Sequence, residues 1–174
     1  MHIVALLIAV LGGAAFWWWR LKTIHEAGSE ITDAAGRAWG KYKRMKFRRK
    51  AESSAVDAVD DPVAAAVVMM IAVAETEGEL TPAAEAEIRR AVTDEMGVAD
   101  PIEVVTFSKW VAKHVEDADN VSLRYAKLWT SALGVEDLHS LSAMVTRVAG
   151  ANGSASARQT QQIAKLRERL GLGA

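Results

Sequence analysis

Seventeen consecutive uncharged residues, Ile3 to Trp19, open the chain and close on Trp17-Trp18-Trp19-Arg20. A run of this kind must be hidden from water, either in a membrane or in a core. As a helix it rises about 25 Å at ~1.5 Å per residue, slightly short of a hydrocarbon thickness of ~30 Å and still able to span it. Tryptophan settles at headgroup level because its ring is apolar and its indole N–H needs a partner, and Arg20 and Lys22 can reach outward to phosphates. These features predict a transmembrane anchor over residues 1–20, with Trp17, Trp18, Trp19 and Arg20 at the interface. Ala5, Ala9 and Gly13 recur every four residues, a stripe on which two such helices could meet as a homodimer. Ordinary small-residue usage in a span explains the same stripe.

Charge then sets direction. Residues 20–50 hold ten Lys or Arg against three acids, a net of +7, while only Met1 and His2 flank the other end. The positive side of a span stays in the cytoplasm, so the N-terminus is expected outside a bacterial inner membrane and the rest of the chain inside. A cleaved signal peptide carries its charge ahead of the apolar run, whereas here the charge follows it.

Residues 21–50 read as a basic amphipathic juxtamembrane segment. Arg37, Lys41, Lys43, Arg44, Lys46, Arg48, Arg49 and Lys50 occur without an acid among them, and Trp39, Tyr42 and Met45 recur at helical spacing. Such a helix can lie on an anionic leaflet, at ~1 kcal/mol per basic residue near the surface. A plain topology signal with no specific lipid is the alternative. Basic residues interleaved with aromatics also suit nucleic acid, but tethering beside a membrane argues against that partner.

At residues 51–59 the composition turns small and acidic, which reads as a linker, and a folded domain is expected over residues 60–172. Residues 51–174 carry eleven bases against nineteen acids, a net of −8. The absence of cysteine excludes disulfides, thiolate metal sites and thiol nucleophiles. No window alternates β-branched and polar residues between hairpin turns, so the fold class is all-α.

Helix signals are well spaced. Asp61-Pro62 caps the apolar run Val63 to Ala74, which is too short for a second span and suits a central buried helix. Thr81-Pro82 opens a helix with Ile88, Ala91, Val92 and Met96 inward, ending near Gly97. Asp100-Pro101 opens another, with Ile102, Val105, Val111 and Val115 inward. Further helices are expected over Leu123 to Leu133, along the stripe Leu138, Leu141, Val145, Val148, and over Ala157 to Leu170. About six helices with short connections imply a compact bundle.

Catalytic patterns are missing: no Gly-rich phosphate loop, no His-Glu-x-x-His and no Gly-x-Ser-x-Gly, so no enzyme is expected. His114 with Glu116, Asp117 and Asp119 lacks the glycine and glutamate that a calcium loop begun at Asp117 would need at Ser122 and Leu128. His114 reads instead as a partly buried structural residue, and the acids as helix terminators facing water. Trp110 and Trp129 read as core.

A repeat is present at an offset of 75 residues. It matches Met69 with Met144, Val73 with Val148, Ala74 with Ala149, Gly78 with Gly153, Thr81 with Ser156 and Ile88 with Ile163. Each copy reads as apolar helix, glycine turn, hydroxyl cap, apolar helix. With this repeat, the segment Ile71 to Ile88, IAVAETEGELTPAAEAEI, resembles the TerB-like family of tellurite-resistance proteins. The family also occurs in the N-terminal half of membrane-anchored DnaJ-type co-chaperones. The resemblance covers roughly residues 60–172 and implies a pseudo-duplicated helical interaction module, in an envelope or metal (tellurite-type) stress response. Its partner would be an unidentified cytoplasmic or membrane protein. No His-Pro-Asp tripeptide occurs, so Hsp70 stimulation is not implied. In some members acids near the turns bind a divalent cation. On that analogy Glu75, Glu77 and Glu85 are the candidate ligands of a cation sensor, with a solvated acidic corner as the alternative and no other cofactor expected. Several positions depart from the pattern: Glu77 stands where Asp is usual, Ala83 and Ala84 where an acid is common, and Asn152, Ser154 and Thr160 replace acids in the second turn.

Overall fold

The computed structural model describes Val56 and residues 59–173. The anchor expected over residues 1–20, with its Trp17–Trp19 border and Ala5/Ala9/Gly13 stripe, and the basic segment Arg37 to Lys50 lie outside the described residues. Among the described residues no helix is long and apolar enough to cross a membrane.

Six α-helices and no strand occur among the described residues: α1 Pro62–Ala74, α2 Pro82–Arg90, α3 Pro101–Ala112, α4 Ala118–Ala132, α5 Val135–Ala149 and α6 Ala157–Arg169. The first is the axis of the fold. The Asp61 carboxylate accepts from the amides of Val63 at 3.2 Å and Ala64 at 3.4 Å, and Pro62 needs no N–H partner at the first position. Every residue from Val63 to Val73 is buried. Four valines and an isoleucine in that stretch are mediocre helix formers, so packing rather than propensity holds α1 in shape. It packs against each of the other five helices. Burial at ~1.5–3 kcal/mol per large apolar side chain makes it the main contributor to stability.

The other helices are placed on α1 by bonds as well as by apolar contact. Ser108 of α3 donates to the Ala64 carbonyl at 3.2 Å. Trp129 of α4 is fully buried, and its indole N–H donates to the Pro62 carbonyl at 3.2 Å. One turn earlier on the same face, the Tyr125 hydroxyl donates to the Val56 carbonyl at 2.8 Å. Burial pushes the Tyr125 phenol up to about 12. Val56 and Val59, which composition places in a linker, are therefore part of the core.

Helix α2 continues through a π-turn, Ala91–Glu95, and stops at Gly97, whose φ of 69° suits a residue without a Cβ. The wide turn keeps Ala91, Val92 and Met96 buried, as the spacing predicts.

Five expectations need correction. Ile102 is 58% exposed and Trp110 is 40% exposed, because the inner face of α3 is Val105, Ser108, Val111 and Ala112. The helix expected to start at Leu123 begins five residues earlier, at Ala118. Asp117 starts that helix rather than ending the previous one, accepting from the Asn120 amide at 2.8 Å. His114 is exposed, yet its Nδ1 lies 2.8 Å from the Trp110 carbonyl and its ring centroid is 5.0 Å from that of Trp110, with the two planes tilted by 55°.

Candidate functional site

The two glycine turns matched in the sequence meet in space. In the first, α1 runs into a 3-10 turn, Glu75–Glu77, then Gly78 at φ 146°, and Thr81 caps α2 through the Ala84 amide at 3.2 Å. In the second, Gly153 at φ 124° precedes Ser156, which caps α6 through the Gln159 amide at 3.1 Å. No atom lies within 4 Å of where a Cβ would stand on either glycine, so backbone conformation rather than crowding selects the residue.

Each cap reaches across to the other turn. The Thr81 hydroxyl donates to Asn152 Oδ1 at 2.8 Å, and the Ser156 hydroxyl donates to Glu77 Oε1 at 2.7 Å. Glu77 and Asn152 are themselves separated by 75 residues, so the two bonds are counterparts of one another. Helix α6 then completes the end of α1. Gln159 accepts from the Ser156 amide at 2.9 Å while its Nε2 donates to the Val73 carbonyl at 3.0 Å, and Thr76 donates to Gln162 Oε1 at 2.7 Å. Carbonyls at a helix C-terminus lack intrahelical partners, and a neighbouring side chain supplies one here.

The candidate metal ligands are not gathered at one point. Glu77 turns to Ser156. Glu85 is held by Arg89 at 2.6 Å and by Lys109 at 2.7 Å, and those two cations keep its carboxyl below the usual range. Glu75 stands at the mouth of a separate cleft, where partial burial raises its carboxyl against the opposing pull of Lys113 and Lys109. Among the described residues no three His, Asp or Glu side chains converge as an ion site.

That cleft has a volume of about 220 Å³ and lies between the end of α1, the end of α3 and the start of α6. Its apolar side is Ala72, Ala112 and Val115, and its polar side includes Glu75, Glu116, Asp117, Arg158 and Gln162. Sequence reading found Glu75 and discussed Glu116 and Asp117 but passed over Arg158 and Gln162. One signal was available: Arg158 is in the first turn of α6, where the helix dipole disfavours a cation and an acid is usual.

Two further ion networks fix helices to one another. Arg147 of α5 bonds Glu87 at 3.0 Å and also Glu95, tying α5 to α2 and its π-turn. Asp119 of α4 receives Lys165 at 2.9 Å and Arg169 of α6, so an acid expected to face water instead joins two helices.

Comparison with family models, with curated proteins and with solved structures finds no match for this chain.

Proposed function

We propose that this chain is a membrane-anchored, TerB-like interaction module at the cytoplasmic face of the inner membrane, acting in an envelope or metal (tellurite-type) stress response. The observation that carries this reading is the division of charge, +7 over residues 20–50 and −8 over residues 51–174. Anionic lipid attracts the first part and repels the second. The acidic helical domain is thereby displaced from the leaflet and presents its surface to a protein partner. The mechanism is recruitment rather than catalysis. The cross-bonded glycine turns support the TerB-like part of the reading, since both copies of the hairpin use the same backbone device in matched positions.

Vesicle flotation of the chain lacking residues 1–19 tests the lipid role. Retention on anionic vesicles, lost on zwitterionic ones and at high salt, is expected, because surface charges are screened beyond a Debye length of ~8 Å at physiological salt. Binding that responds to neither variable rejects it. For the partner, crosslinking in membranes with the anchor intact is compared with a variant lacking Arg37 to Lys50. Loss of specific adducts in the variant supports recruitment at the leaflet.

A further inference from the structure

The outer face of α3 carries a row of side chains that the described residues leave open to water. Ile102, Thr106, Trp110 and His114 recur every four residues and all are exposed, so they form one stripe along the helix. Ile102 is 58% exposed and Trp110 is 40% exposed. The rings are already ordered: the Trp110 centroid lies 6.0 Å from that of Phe107 and 5.0 Å from that of His114, whose Nδ1 is 2.8 Å from the Trp110 carbonyl. A tryptophan fixed by its neighbours and left partly in water is the commonest kind of anchor in a protein contact. At the N-terminal end of the row, Asp100 and Glu103 are both exposed.

Three occupants compete for this face. A bilayer would have to accept the Glu103 carboxylate one turn from Phe107, which hydrocarbon strongly disfavours. A second copy would bring together two domains that each carry a net −8 over residues 51–174. The stretch Arg37 to Lys50 of this same chain answers both features of the row. It has eight bases and no acid to meet Asp100 and Glu103, and it has Trp39, Tyr42 and Met45 at helical spacing to meet Ile102 and Trp110. It is also close at hand. Lys50 precedes Val56 by six residues, a reach of about 20 Å at ~3.4 Å per residue. The chain then enters α1, where the Ala64 carbonyl accepts from Ser108 of α3, and the row lies across a helix about 10 Å wide from that bond. A tether this short keeps the segment at an effective concentration in the millimolar range.

We propose that residues 37–50 dock on the outer face of α3, with their aromatic side over Ile102 and Trp110 and their bases toward Asp100 and Glu103. Docking itself needs no lipid. Its regulatory consequence rests on the leaflet reading: lipid and α3 compete for one segment, so attachment to the leaflet uncovers the row for a protein partner.

Because the chain has no cysteine, thiol pairs introduced into the full chain report this contact without background. In nanodiscs of zwitterionic lipid, a short bismaleimide should join A38C to T106C about tenfold faster than it joins A38C to A143C. Thr106 and Ala143 are both exposed, the second on α5, and unchanged thermal melts confirm folding. E103K should slow the first pair about threefold, and salt near ~1 M, where the Debye length is ~3 Å, should slow it further. Equal rates for the two pairs overturn the proposal, as does a rate that neither E103K nor salt changes. Crosslinks between separate A38C and T106C chains mixed in detergent give the face to a second copy. Protection of T106C from an aqueous maleimide that survives deletion of residues 37–50 gives it to the bilayer. Either result also overturns docking. Vesicle flotation reads anionic lipid alone and can fail while this crosslink forms, so the two readings fail separately.

Discussion

Hairpin α1–α2 and hairpin α5–α6 share a turn but not a burial pattern. Both turns carry a glycine at positive φ and a hydroxyl cap, and each cap bonds the other turn. Helix α1 is nonetheless buried from Val63 through Val73 without a break, whereas α5 buries eight of fifteen residues along one side. Val68 and Ala143 show the contrast most sharply: they match at the 75-residue offset, yet the first is fully buried and the second is exposed. A turn is a local property, settled by a few residues and their dihedral angles. Burial is a property of position, and α1 alone is surrounded by the other five helices.

The largest test of this contrast is a matched substitution. V68D should cost more than about 4 kcal/mol and abolish the cooperative melt, because an unpaired charge would be sealed in the axis of the fold. A143D should stay within about 0.5 kcal/mol. Circular dichroism melts of the two variants decide, and similar losses would erase the distinction drawn here.

Next in size is the bond between the hairpins. R147A leaves Glu87 and Glu95 facing each other without a shared cation, and should lower stability by about 1–2 kcal/mol in urea titration, a figure discounted because Arg147 is 37% exposed. The cap bonds come after. T81A and S156A should each cost about 1 kcal/mol. In double-mutant cycles the coupling of Ser156 to Glu77 should exceed that of Thr81 to Asn152, since a carboxylate is the stronger acceptor. Equal couplings would make the two turns energetically as well as geometrically alike.

The smallest expected effect is in pH dependence, where the sign differs between groups. Hydrogen bonds from Lys165 and Arg169 hold the Asp119 carboxyl below its usual range. Its contribution is present above the unfolded value of ~3.8 and is lost as pH falls through the lower folded value. Burial raises Glu95 instead, despite Arg147. Its favourable contribution is full below the unfolded value and is lost as pH rises through the raised one. D119N should therefore flatten the fall in Tm below about pH 4, and E95Q should steepen the fall on acidification by removing the opposing term.

Reading the chain alone located the helices well, because their starts are written in local chemistry. Asp61-Pro62, Thr81-Pro82, Asp100-Pro101 and Ser156 all cap helices as their sequence context indicates. The same reasoning missed Asp117 as a cap, since no proline follows it and the acids around it resemble a helix end. Orientation was less legible on α3, whose apolar residues occupy more of the circumference than its neighbours can cover. Ile102 and Trp110 are left over on the outside. In the candidate site, the turns were legible from the repeat, but the destinations of the acids were not. Glu85 meets Lys109 from another helix, and Asp119 meets Lys165 across 46 residues. Such partners depend on how helices are arranged, which spacing along one helix does not encode.

The Tyr125 hydroxyl has a mechanical consequence. By gripping the Val56 carbonyl, it fixes the point where any pull from the preceding chain reaches the folded part, and α4 receives that pull beside Trp129. Without the grip, Val56 would lose its hold on α4 and the load would pass to the buried Val59. A single phenol thus decides where the helical domain begins to bear load.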